Sequence, residues 1–151
     1  MVDKSTFSRL VQAGIVVRDA NKAVERLSSL GMGTFVGKPE PPWVKPVSSF
    51  RDKPFLGSTK PPLGSVMGDV ELELIQPLEG ESPWQEFLDK HGEGIHHIAF
   101  KVDDLDKEVD KLTKRGLSVM ITGTWPEGGF AYFDLGVGGL VIELEQGGPL
   151  L

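Results

Sequence analysis

Two segments of the chain carry the same order of apolar and polar positions. Residues 10–17 predict a strand, and apolar residues at helical spacing then continue to Gly31. Residues 95–102 predict a second strand, followed by a matching helical stripe that ends at Gly116. An aspartate stands before each helix as a candidate cap: Asp19 in the first segment, and Asp103 or Asp104 in the second. The repeat predicts two copies of one βαβββ unit.

Each segment closes with a strand of the same pattern. Residues 70–76 and 140–146 both alternate apolar residues with glutamates, so that Glu73 and Glu143 are equivalent. The first unit is longer by about fifteen residues, and residues 37–65 hold seven of the eleven prolines. Because proline excludes a continuous helix or central strand, this stretch is predicted to be a long loop over the cleft. Four aromatic residues are expected to pin loops to the body rather than line a pocket: Trp43, Phe50, Phe55 and Trp125.

A short helix is predicted between the two units. Ser82 and Gln85 form a capping pattern with Pro83 at the first helical position, and Gly92 predicts the end of the helix. We therefore expect one α+β domain over residues 1–151, in which two modules form a curved mixed sheet around a metal-binding cleft. Its expected parts are a first module at 8–78, a linker helix at 79–93 and a second module at 94–147.

Four polar side chains are predicted to face this cleft. Because side chains alternate along a strand, Gln12 and His97 lie opposite the apolar faces of their strands, whereas His96 lies on the apolar face. Glu73 and Glu143 likewise point away from the leucines beside them. Buried carboxylates need a cation, so we predict one divalent metal ion held by Gln12, Glu73, His97 and Glu143. Amide, carboxylate and imidazole donors suit Zn, Ni, Co, Mn, Fe or Mg.

The same site predicts proton-transfer chemistry. Four protein ligands leave two places in an octahedral site, where a substrate with neighbouring oxygens can bind. The metal then stabilises the enolate formed when a proton leaves the carbon next to a carbonyl. A ligand carboxylate that swings off the metal reaches that carbon, so Glu143 is the first candidate for the base and Glu73 the second. Glu71 and Glu145, on the same strand faces, are alternatives.

Composition excludes several classes of partner. A net charge of −6 and a pI near 5.1 give no basic surface for a nucleic acid. The chain has no cysteine, so a metal must be held by nitrogen and oxygen. No apolar run approaches the roughly 20 residues that span a bilayer, so we expect no membrane insertion or export and a cytoplasmic location.

Three stretches of the sequence resemble the vicinal oxygen chelate superfamily, which includes glyoxalases, bleomycin resistance proteins and dioxygenases. Residues 92–100, Gly-Glu-Gly-Ile-His-His-Ile-Ala-Phe, are similar to the most recognisable motif of methylmalonyl-CoA epimerases. Residues 73–78 and 141–144 are similar to two further metal-binding strands of those enzymes. The resemblance implies a glyoxalase-like fold, a divalent metal and a small-molecule substrate such as an acyl-CoA. Gln12 replaces the usual first-strand histidine, as in some glyoxalase I enzymes, and we also expect a homodimer.

The residues leave several functions open. The first is a metal-dependent isomerase or lyase that abstracts a proton α to a carbonyl, as acyl-CoA epimerases do, although residues 47–65 contain no counterpart of their glutamate base. The second is a glyoxalase-type lyase that does not use glutathione, because Val16 and Pro77 replace an arginine and an asparagine of those enzymes. A non-catalytic binding or resistance protein and a ring-cleaving dioxygenase are the other two.

Overall fold

The computed structural model describes residues 5–37, 49–51, 53–55 and 57–148 of the 151-residue chain. In these residues, one eight-stranded sheet lies with a two-stranded hairpin and three helices, which confirms the predicted α+β class. The sheet contains β1 (Leu10–Val16), β2 (Val36–Gly37), β5 (Leu63–Met67), β6 (Val70–Ile75), β7 (Gly94–Lys101), β8 (Val119–Trp125), β9 (Gly128–Asp134) and β10 (Val141–Gln146). The hairpin is β3 (Ser49–Phe50) with β4 (Lys53–Pro54), and the helices are α1 (Ala20–Ser29), α2 (Pro83–His91) and α3 (Leu105–Lys114).

The large sheet has the strand order β2-β5-β6-β1-β7-β10-β9-β8. At its centre β1 and β7 are antiparallel, and each is parallel to its own closing strand, β6 or β10. The order of elements is therefore the same outward from the centre on both sides. We call β1, α1, β2, β5 and β6 the first half, and β7, α3, β8, β9 and β10 the second half. The strand registers make Gln12 equivalent to His97, and Glu73 equivalent to Glu143.

The helices that follow the two central strands are capped alike. Asp19 and Asp104 each accept a hydrogen bond at 3.1 Å from the backbone N–H three residues later, so Asp104 rather than Asp103 is the second cap. Gln76 and Gln146, at the ends of the closing strands, accept the backbone N–H of the first helical residue at 2.9 and 2.8 Å. The glutamine at the end of each closing strand thus accepts a hydrogen bond from a backbone N–H that has no partner within its helix.

The apolar face of the sheet is packed more heavily in the second half. There α3 lies on β9 and β10 over one buried cluster: Val102, Leu105, Leu112, Ala131, Phe133, Ile142 and Leu144. The cluster under α1 in the first half contains three buried residues, Val17, Ala20 and Leu74. Because burial of apolar surface is the main favourable term in folding, we expect the second half to supply more of the stability.

The long loop predicted for residues 37–65 is shorter than predicted, because strands occupy both of its ends. Gly37 belongs to β2, and residues 63–65 belong to β5, which pairs antiparallel with β6. The prolines at 61 and 62 stop just before β5, so the proline argument wrongly merged a strand with the loop. Residues 38–48, 52 and 56 lie outside the described residues, and so does the expectation for Trp43.

The helix predicted between the units is α2. Ser82 accepts the backbone N–H of Gln85 at 3.0 Å, Pro83 is the first helical residue, and Gly92 ends the helix with a φ of 78°. The division into parts at 8–78, 79–93 and 94–147 stays a prediction. Among the helices of the described ranges, none is long and apolar enough to cross a membrane.

Candidate metal centre

The two central strands approach closely at one glycine. Gly14 in β1 stands opposite His97 in β7, and Gln12 stands opposite Ala99. A Cβ added at position 14 would overlap the His97 ring. Only glycine therefore leaves room for the imidazole to lie across the neighbouring strand. This contact holds the ring at the centre of the sheet.

The four predicted ligands meet at this centre, two from each half. His97 Nε2 lies 2.9 Å from Gln12 Oε1, 3.1 Å from Glu143 Oε2 and 3.6 Å from Glu73 Oε2. None of the four residues is more than 8% exposed. One amide, one imidazole and two carboxylates therefore converge on a buried point.

The two alternative base candidates have other partners. Glu71 Oε1 accepts a hydrogen bond from Gln12 Nε2 at 3.2 Å, and the residue is buried. Glu145 Oε1 forms a 2.9 Å ion pair with Lys101. Each of these carboxylates is thus held by a neighbour, which leaves Glu73 and Glu143 as the carboxylates beside His97.

His96 does not lie where strand alternation places it. The pairing of β1 with β7 shifts by one residue between Gly14 and Ile15, so His96 is the extra residue of a bulge. Its Nδ1 lies 3.0 Å from Nδ1 of His97, and its ring packs against Phe87 of α2. The prediction that His96 lies on the same strand face as Ile98 is therefore wrong, although the residue is buried, at 1% exposure, against His97 and Tyr132.

Burial and charge act in opposite directions on His97. Burial lowers the pKa of His97, but the hydrogen bonds and negative charges of Glu143 and Glu73 raise it to about 9. Burial raises the pKa of Glu143, and the hydrogen bond and charge of His97 offset only part of that effect. Burial, followed by the charge of His97, lowers the pKa of His96 to about 2. The two glutamates thus make a buried point that stabilises positive charge.

The sequence prediction missed an aromatic wall beside this point. Tyr132 in β9 stands opposite Glu143, and its ring centroid is 5.0 Å from that of His97. Burial, with the charges of Glu143 and Glu73, raises the pKa of Tyr132 well above 10.0. Trp84 of the helix predicted as a linker packs against Tyr132 with 6.0 Å between centroids. Sequence alone could have indicated Tyr132 only through the register of β9 against β10.

Three of the four aromatic residues predicted to pin loops lie in the described ranges, and their contacts support that prediction. Phe50 of the hairpin is 6% exposed and packs in a cluster with Ile121, Phe130, Tyr132 and Val141 of the second half. Phe55 packs edge-on against Trp84, and Trp125 stacks on Phe130. The described residues of the β3–β4 hairpin therefore pack on the second half of the sheet.

Comparison with known sequences identifies the family. The sequence profile of the Glyoxalase/Bleomycin resistance protein/Dioxygenase superfamily matches residues 11–133. The chain belongs to this superfamily. That span includes β6, β7 and all of β1 except Leu10, and with them three of the four converging side chains.

Relatives within the superfamily match to different extents. The chain is 29% identical over 146 residues to the ethylmalonyl-CoA/methylmalonyl-CoA epimerase of Cereibacter sphaeroides, covering 93% of this chain and 98% of that one. A Bacillus subtilis protein, YqjC, is 42% identical over 53 residues, which are 35% of this chain and 38% of that protein. A methylmalonyl-CoA epimerase variant of Streptomyces coelicolor in complex with 2-nitronate-propionyl-CoA has a TM-score of 0.62 at 19% identity, covering 95% and 99% of the two chains. The chain therefore has the glyoxalase-like fold of the superfamily.

The donor set of this superfamily member fits a divalent ion. Two ligands at right angles lie about 3.0 Å apart when each is about 2.1 Å from the ion. The separations of His97 Nε2 from Gln12 and Glu143, 2.9 and 3.1 Å, agree with this value, whereas Glu73 is farther at 3.6 Å. Within the described ranges, no three His, Asp or Glu side chains are already closed as a metal site. Here one of the four donors is an amide, and Glu73 is the donor farthest from His97 Nε2.

Proposed function

We propose that the protein is a divalent-metal-dependent isomerase that removes the proton α to the carbonyl of an acyl-CoA-like substrate. The observation that carries the proposal is the convergence of Gln12, Glu73, His97 and Glu143, all buried, at the middle of the sheet. The similarity to epimerases of this superfamily over nearly the whole chain supports the same reaction class. A bound divalent ion would supply Lewis-acid stabilisation of the enolate oxygen.

Glu143 is the residue that we propose as the base, with Glu73 second. The role needs a carboxylate that lies at the metal centre and can swing off the ion toward the α-carbon, and Glu143 Oε2 lies nearer to His97 Nε2, at 3.1 Å, than Glu73 Oε2 does, at 3.6 Å. Glu71 and Glu145 suit this role less well because they are bonded to Gln12 and Lys101. His97 and Gln12 would hold the ion, and buried Tyr132 would exclude water from one side of the site.

Exchange of the α-hydrogen in deuterated solvent tests this function. Protein reconstituted with Co²⁺, Ni²⁺, Mn²⁺ or Zn²⁺ is incubated in D₂O with methylmalonyl-CoA and ethylmalonyl-CoA, and deuterium uptake is followed by mass spectrometry. We expect uptake that needs metal. The variant Glu143→Gln keeps an oxygen donor but removes the base, and should slow uptake by about 100-fold or more.

The matched control is Glu25→Gln on the outer face of α1, which should exchange at the parent rate. Metal content of each variant is measured, so that loss of the ion is separated from loss of the base. If none of the thioesters exchanges in protein with one bound metal per chain, the isomerase proposal is wrong.

A glyoxalase-type lyase that uses a thiol other than glutathione is a second candidate. It is favoured by the Gln, Glu, His and Glu donor set and by the direction of the Gln12 amide, whose oxygen faces His97. Metal-loaded protein should then consume methylglyoxal in the presence of one of a panel of thiols. Consumption without α-hydrogen exchange in acyl-CoA thioesters would decide for the lyase.

We also propose that the protein acts as a homodimer in the cytoplasm. Its edge strands β2 and β8 carry Val36 and Val119, which are 47% and 37% exposed and could be covered by a second copy. Sedimentation equilibrium at micromolar protein should give twice the mass of the chain, and a monomer mass would contradict the dimer.

A further inference from the structure

The amide of Gln12 makes two hydrogen bonds of different kinds. Its Oε1 lies 2.9 Å from His97 Nε2 in the candidate metal centre, and its Nε2 donates to Glu71 Oε1 at 3.2 Å on the other side. An amide presents one acceptor and one donor end, and a carboxylate accepts but does not donate. The bond to Glu71 therefore selects the rotamer in which the amide oxygen, not the NH₂ group, faces the centre.

Glu71 is an exception in the repeat. It lies opposite Gln12 in the pairing of β1 with β6, and the same position in the pairing of β7 with β10 is Val141, opposite His97. Both residues are buried, at 5% and 3% exposure. A carboxylate costs far more than valine to bury, so its presence beside Gln12 calls for a compensating role.

We propose that Glu71 is a positioning residue that holds the Gln12 amide with its oxygen toward the bound metal ion. The inference rests on the proposed function, because it requires that Gln12 be a metal ligand. Without the carboxylate, the amide can rotate by half a turn and present its NH₂ group, which cannot coordinate a cation. Glu71 also disfavours glutamate at position 12, since two carboxylates would then lie in direct contact.

The experiment compares Glu71→Val, which copies the residue of the second half, with Glu71→Gln, which keeps an acceptor oxygen. Metal-free protein is titrated with CoCl₂, and binding is followed by calorimetry and by the visible absorption of Co²⁺. Loss of a residue that orients a ligand should weaken Co²⁺ binding by about 10- to 100-fold in Glu71→Val. Glu71→Gln should bind Co²⁺ nearly as tightly as the parent and give the same spectrum.

A double-mutant cycle separates positioning from a structural role. In a Gln12→Ala background the amide is absent, so adding Glu71→Val should weaken Co²⁺ binding no further. The melting temperature of each metal-free variant shows whether it is folded. A carboxylate with only a structural role would change that temperature but leave the Co²⁺ affinity and spectrum unaltered.

Two outcomes would overturn the inference in distinguishable ways. If the parent binds Co²⁺ and Glu71→Val binds it as tightly with the same spectrum, Glu71 does not position the ligand, and the proposed function stands. If the folded parent protein binds neither Co²⁺ nor Zn²⁺, both the inference and the metal-dependent function fail together.

Discussion

Strands β5 and β9 occupy equivalent places in the two halves but carry very different side chains. Beside the candidate ligand glutamates, β5 has Gly64 and β9 has Tyr132. At the next position, β5 has Ser65 and β9 has Phe133. The second half thus has an aromatic ring on each face of its sheet where the first half has glycine or serine. The repeat keeps the positions of the donor side chains but not the packing around them.

This difference gives the two halves different surroundings for their donor side chains. In the second half, Tyr132 packs against His97 and Trp84. It also belongs to the buried cluster that contains Phe50. The first half has a small residue, Gly64, beside Glu73. Glu143 thus lies beside an aromatic ring, whereas Glu73 lies beside a residue without a side chain.

The largest effect on stability should come from removing a buried aromatic ring from the second half. Phe133 has no exposed surface and lies in the main cluster under α3, so Phe133→Ala should lower the free energy of unfolding by about 3–5 kcal/mol. Ser65→Ala at the equivalent position should lower it by about 1 kcal/mol or less. Urea unfolding measures both. Equal losses for the two variants would mean that the halves are packed alike.

The next effect concerns an ion pair that the first half lacks. Lys101 and Glu145 pair in the second half with side chains 17% and 13% exposed, and the equivalent pair in the first half is Val16 with Ile75. Lys101→Val should lower the free energy of unfolding by about 2–3 kcal/mol, because Glu145 loses its partner while largely buried. Adding Glu145→Ile should recover most of the loss. A double variant as unstable as the single one would contradict this account.

A third test concerns the glycine that admits His97. Gly14→Ala makes β1 resemble β7, which has Ala99 at the equivalent position. The added Cβ overlaps the His97 ring, so we expect a loss of about 1–3 kcal/mol in the free energy of unfolding and weaker binding of Zn²⁺. Ala99→Gly is the control, and it should cost about 1 kcal/mol without displacing His97. Unchanged Zn²⁺ affinity in Gly14→Ala would show that the ring does not depend on this gap.

The sequence could predict the parts of the fold that follow from local periodicity. The observed strands differ from the predicted ranges by one residue at one end, or at both ends for β7; the predicted ranges are 10–17, 70–76, 95–102 and 140–146. The agreement is close because strand alternation and helix caps depend on residues that are neighbours in the sequence. The same alternation brought the four candidate ligands to one face. The four side chains meet because β1 and β7, which are equivalent in the repeat, pair antiparallel at the centre of the sheet.

The sequence could not predict features that depend on the register between strands. The bulge at His96 exists only in the pairing of β1 with β7, so alternation placed that residue on the wrong face. The contact of Glu71 with Gln12 and the place of Tyr132 beside His97 likewise depend on which residues stand opposite each other. The strand β5 was missed because two prolines precede it directly.

The smallest effect concerns the β3–β4 hairpin, which packs on the second half of the sheet. Glu86 of α2 pairs with Arg51 at 2.9 Å and with Lys90 at 2.7 Å. Burial raises the pKa of Glu86, but the hydrogen bonds from Lys90 and Arg51 and their charges outweigh burial and lower it below 4.5. A group whose pKa is lower in the folded state stabilises the folded protein at pH values above its unfolded-state pKa. That stabilisation is lost as the pH falls through the folded-state pKa.

Glu86→Gln should therefore lower the free energy of unfolding at pH 7 by less than about 1 kcal/mol. The difference from the parent should shrink in 1 M salt and vanish as the pH falls below the lowered pKa of Glu86, because the parent is then also uncharged there. Asp110→Asn removes the exposed pair with Lys114 on α3 and should change stability even less. Urea unfolding between pH 3 and pH 7 measures both variants, and a difference that grew toward acid pH would show that Glu86 does not anchor the hairpin through its charge.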